Sequence, residues 1–137
     1  MPFLPWMDEY SVGVGVFDEQ HKKMFGFIVC LEEAINEIQE HAVLRQIVHD
    51  LILYTKDHFR DEEYNMYIHN YPDYIEHKHE HEVLTSDVIK YALDFCTNPN
   101  LSIEILSFLG DWVINHILDS DKKYTEFFAE KEIIVPE

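Results

Sequence analysis

At 137 residues, with 47% hydrophobic and 14% aromatic residues, the chain has material for one core and is too apolar for wholesale disorder. Aspartate and glutamate outnumber lysine and arginine by 27 to 10, a formal charge of −17, which repels phosphate backbones and anionic lipid surfaces and argues against nucleic acid or membrane partners. The stretch from Met1 to Met7 carries two prolines and no basic flank and is too short for a signal sequence or a membrane span, so a cytoplasmic location is expected.

No run of residues keeps a strand-like alternation for long, whereas helical spacing recurs in four blocks, so the expected fold is all-α and a single domain over 1–137. An extended arm, Ser11-Val12-Gly13-Val14-Gly15-Val16, leads to Asp18, a suitable N-cap for a first helix over 18–40 with Met24, Ile28, Leu31, Ile35 and Ile38 on one stripe. A second helix is expected over 42–64, its inner stripe running through Leu44, Val48, Leu51 and Thr55 and turning polar at His58 and Glu62. After Asn70-Tyr71-Pro72-Asp73 a third helix spans 72–95 and closes before Asn98-Pro99-Asn100. A fourth covers 101–118, followed by a short tail helix at 122–130 and a loose end. Cys30 and Cys96 lie in apolar helical patterns without a Cys-x-x-Cys unit and are expected as buried small hydrophobes, with no disulfide.

Four helices with short connections pack as an antiparallel up-down-up-down four-helix bundle. That topology gathers His21 near the start of the first helix, His58 and Glu62 near the end of the second, His77 and His81 near the start of the third, and His116 near the end of the fourth. The chain leaves this end and returns over stretches of roughly 25–30 Å in the first helix pair, at about 1.5 Å per residue. Residues four apart differ by only about 40° in direction, so His58 with Glu62, and His77 with His81, each aim at one spot. His79 points away from its neighbours, His49 from His58, and His41 and His69 fall in connections. These four are expected to be solvated or structural.

Imidazole and carboxylate donors suit iron, zinc or copper, and an acid-rich site with more than one metal leans towards iron. Five imidazoles and Glu62 already exceed what a tetrahedral zinc uses. Two octahedral ions offer about twelve positions; with a second carboxylate, and with both carboxylates and a shared oxygen each counted twice as bridges, about eleven are filled and one stays open.

The segments Trp6, Val12-Gly13-Val14, Asp18-Glu19-Gln20-His21-Lys22, His58-Phe59 with Glu62-Glu63 and Met66, Tyr71-Pro72 with His77 and His81, and Trp112-Val113 with His116-Ile117 and Asp121 resemble the hemerythrin family in its single-domain bacterial form. The resemblance spans nearly the whole chain. It implies that His77, His81 and His116 bind one iron, that His21 and His58 bind the other, and that Glu62 and Asp121 bridge the pair together with an oxo or hydroxo group. It implies reversible dioxygen binding without enzymatic turnover, with dioxygen as the ligand and an unidentified protein as recipient. Phe59, Trp112, Val113 and Ile117 follow the positions that wall the oxygen pocket, where the family usually has leucine in place of Val113.

Asp121 rests on that resemblance. Five residues beyond His116 is about 140° around an α-helix, so the chain would have to break after Leu118 to aim it inward, and Asp119 is the better-phased rival. Competing functions are an oxygen or redox sensor built on the same site, a di-iron oxidase or iron-handling protein, and a purely structural acidic bundle. An oxidase of the ferritin-like type would use a Glu-x-x-His unit on each of two helices; here only Glu76 with the outward His79 has that spacing.

Overall fold

The computed structural model describes residues 6–136; most of the apolar start, Met1 to Pro5, lies outside them. Four helices, α1 (Gly15–Asn36), α2 (His41–Ile68), α3 (Tyr74–Thr97) and α4 (Ser102–Asn115), build an antiparallel four-helix bundle in which each packs on the next and α4 closes on α1. One π turn, His116–Asp121, joins α4 to the short α5 (Lys122–Glu130) without interrupting the helical path. No strand occurs among the described residues.

The helix ends show where local chemistry differs from the pattern in the sequence. Asp18 is not an N-cap: α1 begins at Gly15, and the Asp18 carboxylate accepts from the Val12 amide at 2.8 Å and the Ser11 hydroxyl at 2.6 Å. Asp18 therefore ties down the arm rather than starting the helix. The arm is further held by Trp6 and Tyr10, whose rings pack at 5.4 and 5.2 Å from Phe25, and by Lys122, which donates to the Glu9 carbonyl at 2.6 Å. At the far end α1 stops at Asn36, short of Glu40, because Ile38 adopts φ 55° and the Gln39 amide bonds back to the Ala34 carbonyl at 3.0 Å. This is a Schellman motif, and it leaves Ile38 90% exposed instead of on the inner stripe. The same motif ends α2 at Asn70, φ 57°, and α5 at Glu132, φ 53°. Pro72 precedes α3 rather than lying within its first turn.

The core runs the length of the bundle through Phe17, Met24, Ile28, Leu31, Leu51, Phe95, Ile105 and Leu109. The helical run Pro99–Glu130 is long and apolar enough to cross a membrane, with a mean hydropathy of 1.3 in its richest window, yet Ile105, Leu109, Trp112, Val113 and Ile117 are buried in the bundle itself. Cys30 and Cys96 correct an expectation: both are exposed free thiols. Each follows a core position in the sequence, and one or two residues of helix rotate the next side chain outward.

Candidate metal centre

The seven predicted ligands converge at the end of the bundle where α1 and α3 begin and α2 and α4 finish. His21, Glu62 and Asp121 have no exposed surface, and His58, His77, His81 and His116 show at most 5%. The π turn explains how Asp121 joins them. In π geometry the hydrogen-bonded partner is five residues away, so a residue five beyond His116 lies directly over it. The chain widens by one residue instead of breaking after Leu118, and Asp119, the rival by α-helical phase, stays exposed.

Both carboxylates span the cluster. Asp121 Oδ1 lies 2.9 Å from His116 Nε2 and 3.2 Å from His77 Nε2, while its Oδ2 lies 3.0 Å from His21 Nε2. Glu62 Oε1 is 3.3 Å from Nε2 of both His58 and His81, and Oε2 is 3.6 Å from His21 Nε2. The donor atoms form two groups that could each hold a metal ion: Glu62, His77, His81, His116 and Asp121 in one, His21, His58, Glu62 and Asp121 in the other, with atoms within 4.8 Å of one another. The two carboxylates belong to both.

This donor set fits metal ions better than it fits itself. Nε2 of His21, His58 and His77, Oε1 of Glu62 and both oxygens of Asp121 are buried without a hydrogen-bond partner, and a buried polar atom left unpaired costs on the order of 1–3 kcal/mol. Nε2 of His81 and His116 face each other at 3.2 Å. With Nδ1 of His81 donating to Glu63 at 2.7 Å, a neutral His81 turns its lone pair towards the same point. Cations at the centre would satisfy all of these donors together.

Without metal, protons take that role. Burial opposes charge on His21 and His116, yet Asp121 and Glu62, with Glu80 acting on His116, hold the first up at about 9 and the second at about 10. His81 is raised against burial by Glu62 and Glu63, whereas burial dominates at His58 and lowers it. Burial also works against ionised Glu62, but His58, then His21 and His81, keep it well below the usual carboxylate range. Asp121 is likewise held low by His116 and His21 against burial and the Glu62 charge.

Around the ligands stands a ring of supporting residues, of which Gln20, Glu63 and Glu80 carry no signal in the helical spacing, whereas Tyr124 lies three residues beyond Asp121. Gln20 on α1 accepts from His58 Nδ1 on α2 at 2.6 Å. Glu63 on α2 accepts from His81 on α3. Glu80 on α3 lies 3.5 Å from His116 Nδ1 and accepts from the Ser120 hydroxyl. Each supporting residue immediately neighbours a ligand in sequence and serves the ligand of the next helix. Tyr124, fully buried, donates to Glu62 Oε2. Burial, then the charges of Glu62 and Asp121, pushes its phenol well above its ordinary range.

Of the four residues expected to wall a pocket, Phe59 packs directly on the ligand rings. Phe59 stacks on His81 with centroids 3.8 Å apart and lies 5.3 Å from the His116 ring and 6.1 Å from Trp112; Trp112, Val113 and Ile117 are buried. The remaining histidines are elsewhere: His79 and His49 are exposed, His41 packs on Phe95, and His69 packs on Phe128.

Comparison with known proteins agrees with this geometry. The family model of the hemerythrin HHE cation-binding domain matches residues 12–128. The chain is 32% identical over 126 residues to a bacteriohemerythrin of Stenotrophomonas maltophilia and to one of Pseudomonas aeruginosa, covering 92% of this chain and 82% of each relative. Crystal structures of a wild-type hemerythrin and of its leucine-to-alanine variant superpose with TM-scores of 0.81 and 0.83 at 28% identity. They cover 90% and 92% of this chain, and 96% and 97% of their own.

Proposed function

We propose, from the premise that this chain belongs to the hemerythrin family, that it is a cytoplasmic non-haem di-iron protein that binds dioxygen reversibly, for carriage, storage or delivery, and performs no catalysis. The observation that carries this reading is the unequal sharing of donors: two carboxylates common to both groups, three imidazoles on one side and two on the other. The side with fewer donors has a coordination position to offer.

The residues that would hold the irons are His77, His81 and His116 for one and His21 and His58 for the other, with Glu62 and Asp121 common to both. Two bound irons would supply the vacant position and the electrons that hold dioxygen. The protein's share is to fix and to shield. Gln20 and Glu63 select the Nδ1–H tautomer of His58 and His81, so that Nε2 faces the centre. Tyr124 holds one Glu62 oxygen in place. Phe59, Trp112, Val113 and Ile117 keep water and proton donors away, which protects reversible binding from oxidation of the metal.

An oxygen electrode separates this reading from an oxidase. Reduced protein is expected to take up one dioxygen per pair of irons and give it back under argon through repeated cycles. Continuous consumption driven by added reductant would contradict it. Against a ferritin-like oxidase stands the exposed His79 of the single Glu-x-x-His unit.

A further inference from the structure

We infer that Glu63 and Glu80 make the two metal positions unequal in affinity, so that the ion held by His77, His81 and His116 enters first and leaves last. The inference rests on the di-metal reading above and concerns what stands behind the ligands.

Behind the three-histidine position stand two carboxylates. Glu63 accepts from His81 Nδ1 at 2.7 Å, and Glu80 sits 3.5 Å from His116 Nδ1. Glu80 is pinned by the buried Ser120. An imidazole that donates to an anion becomes a more basic ligand and carries part of that negative charge to the metal. Behind the two-histidine position no carboxylate accepts directly from an imidazole Nδ1 among the described residues; the nearest anion in the chain of bonds, Asp61, is one step removed, accepting from the Gln20 amide nitrogen at 3.0 Å. His58 donates to the neutral amide oxygen of Gln20 at 2.6 Å, and His21 Nδ1 is buried with no partner.

Two further features act in the same direction, and a third separates the two steps whichever position fills first. The three-histidine group has one more imidazole. Surface clefts reach it: one of about 100 Å³ touches His77 and Glu80, and one of about 310 Å³ touches His116 and Glu80. Both clefts carry further carboxylates, Glu76 in the first and Asp111 and Asp119 in the second, which concentrate cations at the entrance. His21 and His58, by contrast, are 0% and 1% exposed. Once the first ion has drawn on Glu62 and Asp121, a second cation meets bridges already partly neutralised and the repulsion of its neighbour.

Glu63 and Glu80 are thus positioning residues for one half of the site, and Gln20 is the neutral counterpart for the other. The test is anaerobic titration of metal-free protein with Co²⁺, whose visible bands report ligation, against a competing chelator. Two steps are expected, the first at least about tenfold tighter, and His58→Ala removes the weaker step only. Glu63→Gln and Glu80→Gln each weaken the first step by about 10–100-fold, the usual effect of losing such a partner, and leave the second nearly unchanged. Gln20→Glu strengthens the second step, a gain that loss of packing cannot produce. Uptake of two ions in one step by the unaltered protein, or equal weakening of both steps in Glu63→Gln, would overturn the inference. A protein that binds no ion at all would refute the di-metal reading instead.

Discussion

Asp121 Oδ1 and His116 Nε2 lie 2.9 Å apart although Asp121 is the fifth residue after His116, because the helix between them makes a single π turn. An α-helix would place them about 140° apart. The turn sets which acidic residue reaches the centre, and Asp119 is left in solvent. Asp121→Asn, close to isosteric but uncharged, is expected to lower the metal content from two ions per chain to one or none. Asp119→Asn should leave it at two. Elemental analysis of the two purified variants checks the phase of the turn.

The charge balance among the ligands of metal-free protein gives a pH dependence. His21 and His116 rise from 6.5 to about 9 and about 10, so their stabilisation of the metal-free fold is complete below about 6.5 and is lost as pH climbs through 9–10. Glu62 and Asp121 are depressed, so theirs is present above their unfolded values of 4.5 and 3.8 and is lost as pH falls further. Thermal melts of metal-free protein should therefore fall away on both sides of a window at about pH 5–6.5. Metal displaces the imidazole protons, so the loaded protein should keep its stability to higher pH, and loading should release protons into weak buffer. An identical alkaline limb with and without metal would contradict this balance.

Tyr124 donates to a buried, ionised Glu62. Tyr124→Phe removes the donor and leaves the carboxylate oxygen in place, at a cost of about 1.5–3 kcal/mol for a hydrogen bond to a charged group. Denaturant unfolding of the metal-free protein should show that loss. A change below about 0.5 kcal/mol would mean that the ring packs against Phe17 and Phe128 and does no more.

Val113 is 1% exposed beside the ligand-bearing turn, where the family resemblance implies leucine. On the expectation that the shorter side chain widens the path to the centre, Val113→Leu should slow both oxygen exchange and autoxidation. Stopped-flow release and the decay of the oxygenated spectrum measure the two. Equal rates in both proteins would remove Val113 from the account.

The bundle and the level of the cluster were legible in the sequence because both follow from helical period and antiparallel packing, which place His21, His58, His77, His81 and His116 at one end. Three kinds of feature were not. Ile38 ends α1 in a left-handed conformation that a β-branched residue rarely adopts, so no turn signal marked it. The π turn inserts one residue into a continuous helix, and no change of composition betrays it; in the sequence only the family resemblance points to Asp121. The supporting residues Gln20, Glu63 and Glu80 act across helix boundaries, and the periodicity of one helix is silent about what its neighbour's side chains reach. Their adjacency in sequence to His21, Glu62 and His81 is the one signal that was available.

The central claim is a pair of irons that binds dioxygen and lets it go. Anaerobically reduced protein of known metal content, followed by optical spectroscopy through air and argon in turn, tests it most directly. The account predicts about two irons per chain and a visible charge-transfer band that appears in air and disappears on deoxygenation. Zinc in place of iron, or a band that persists after dioxygen is removed, would contradict it.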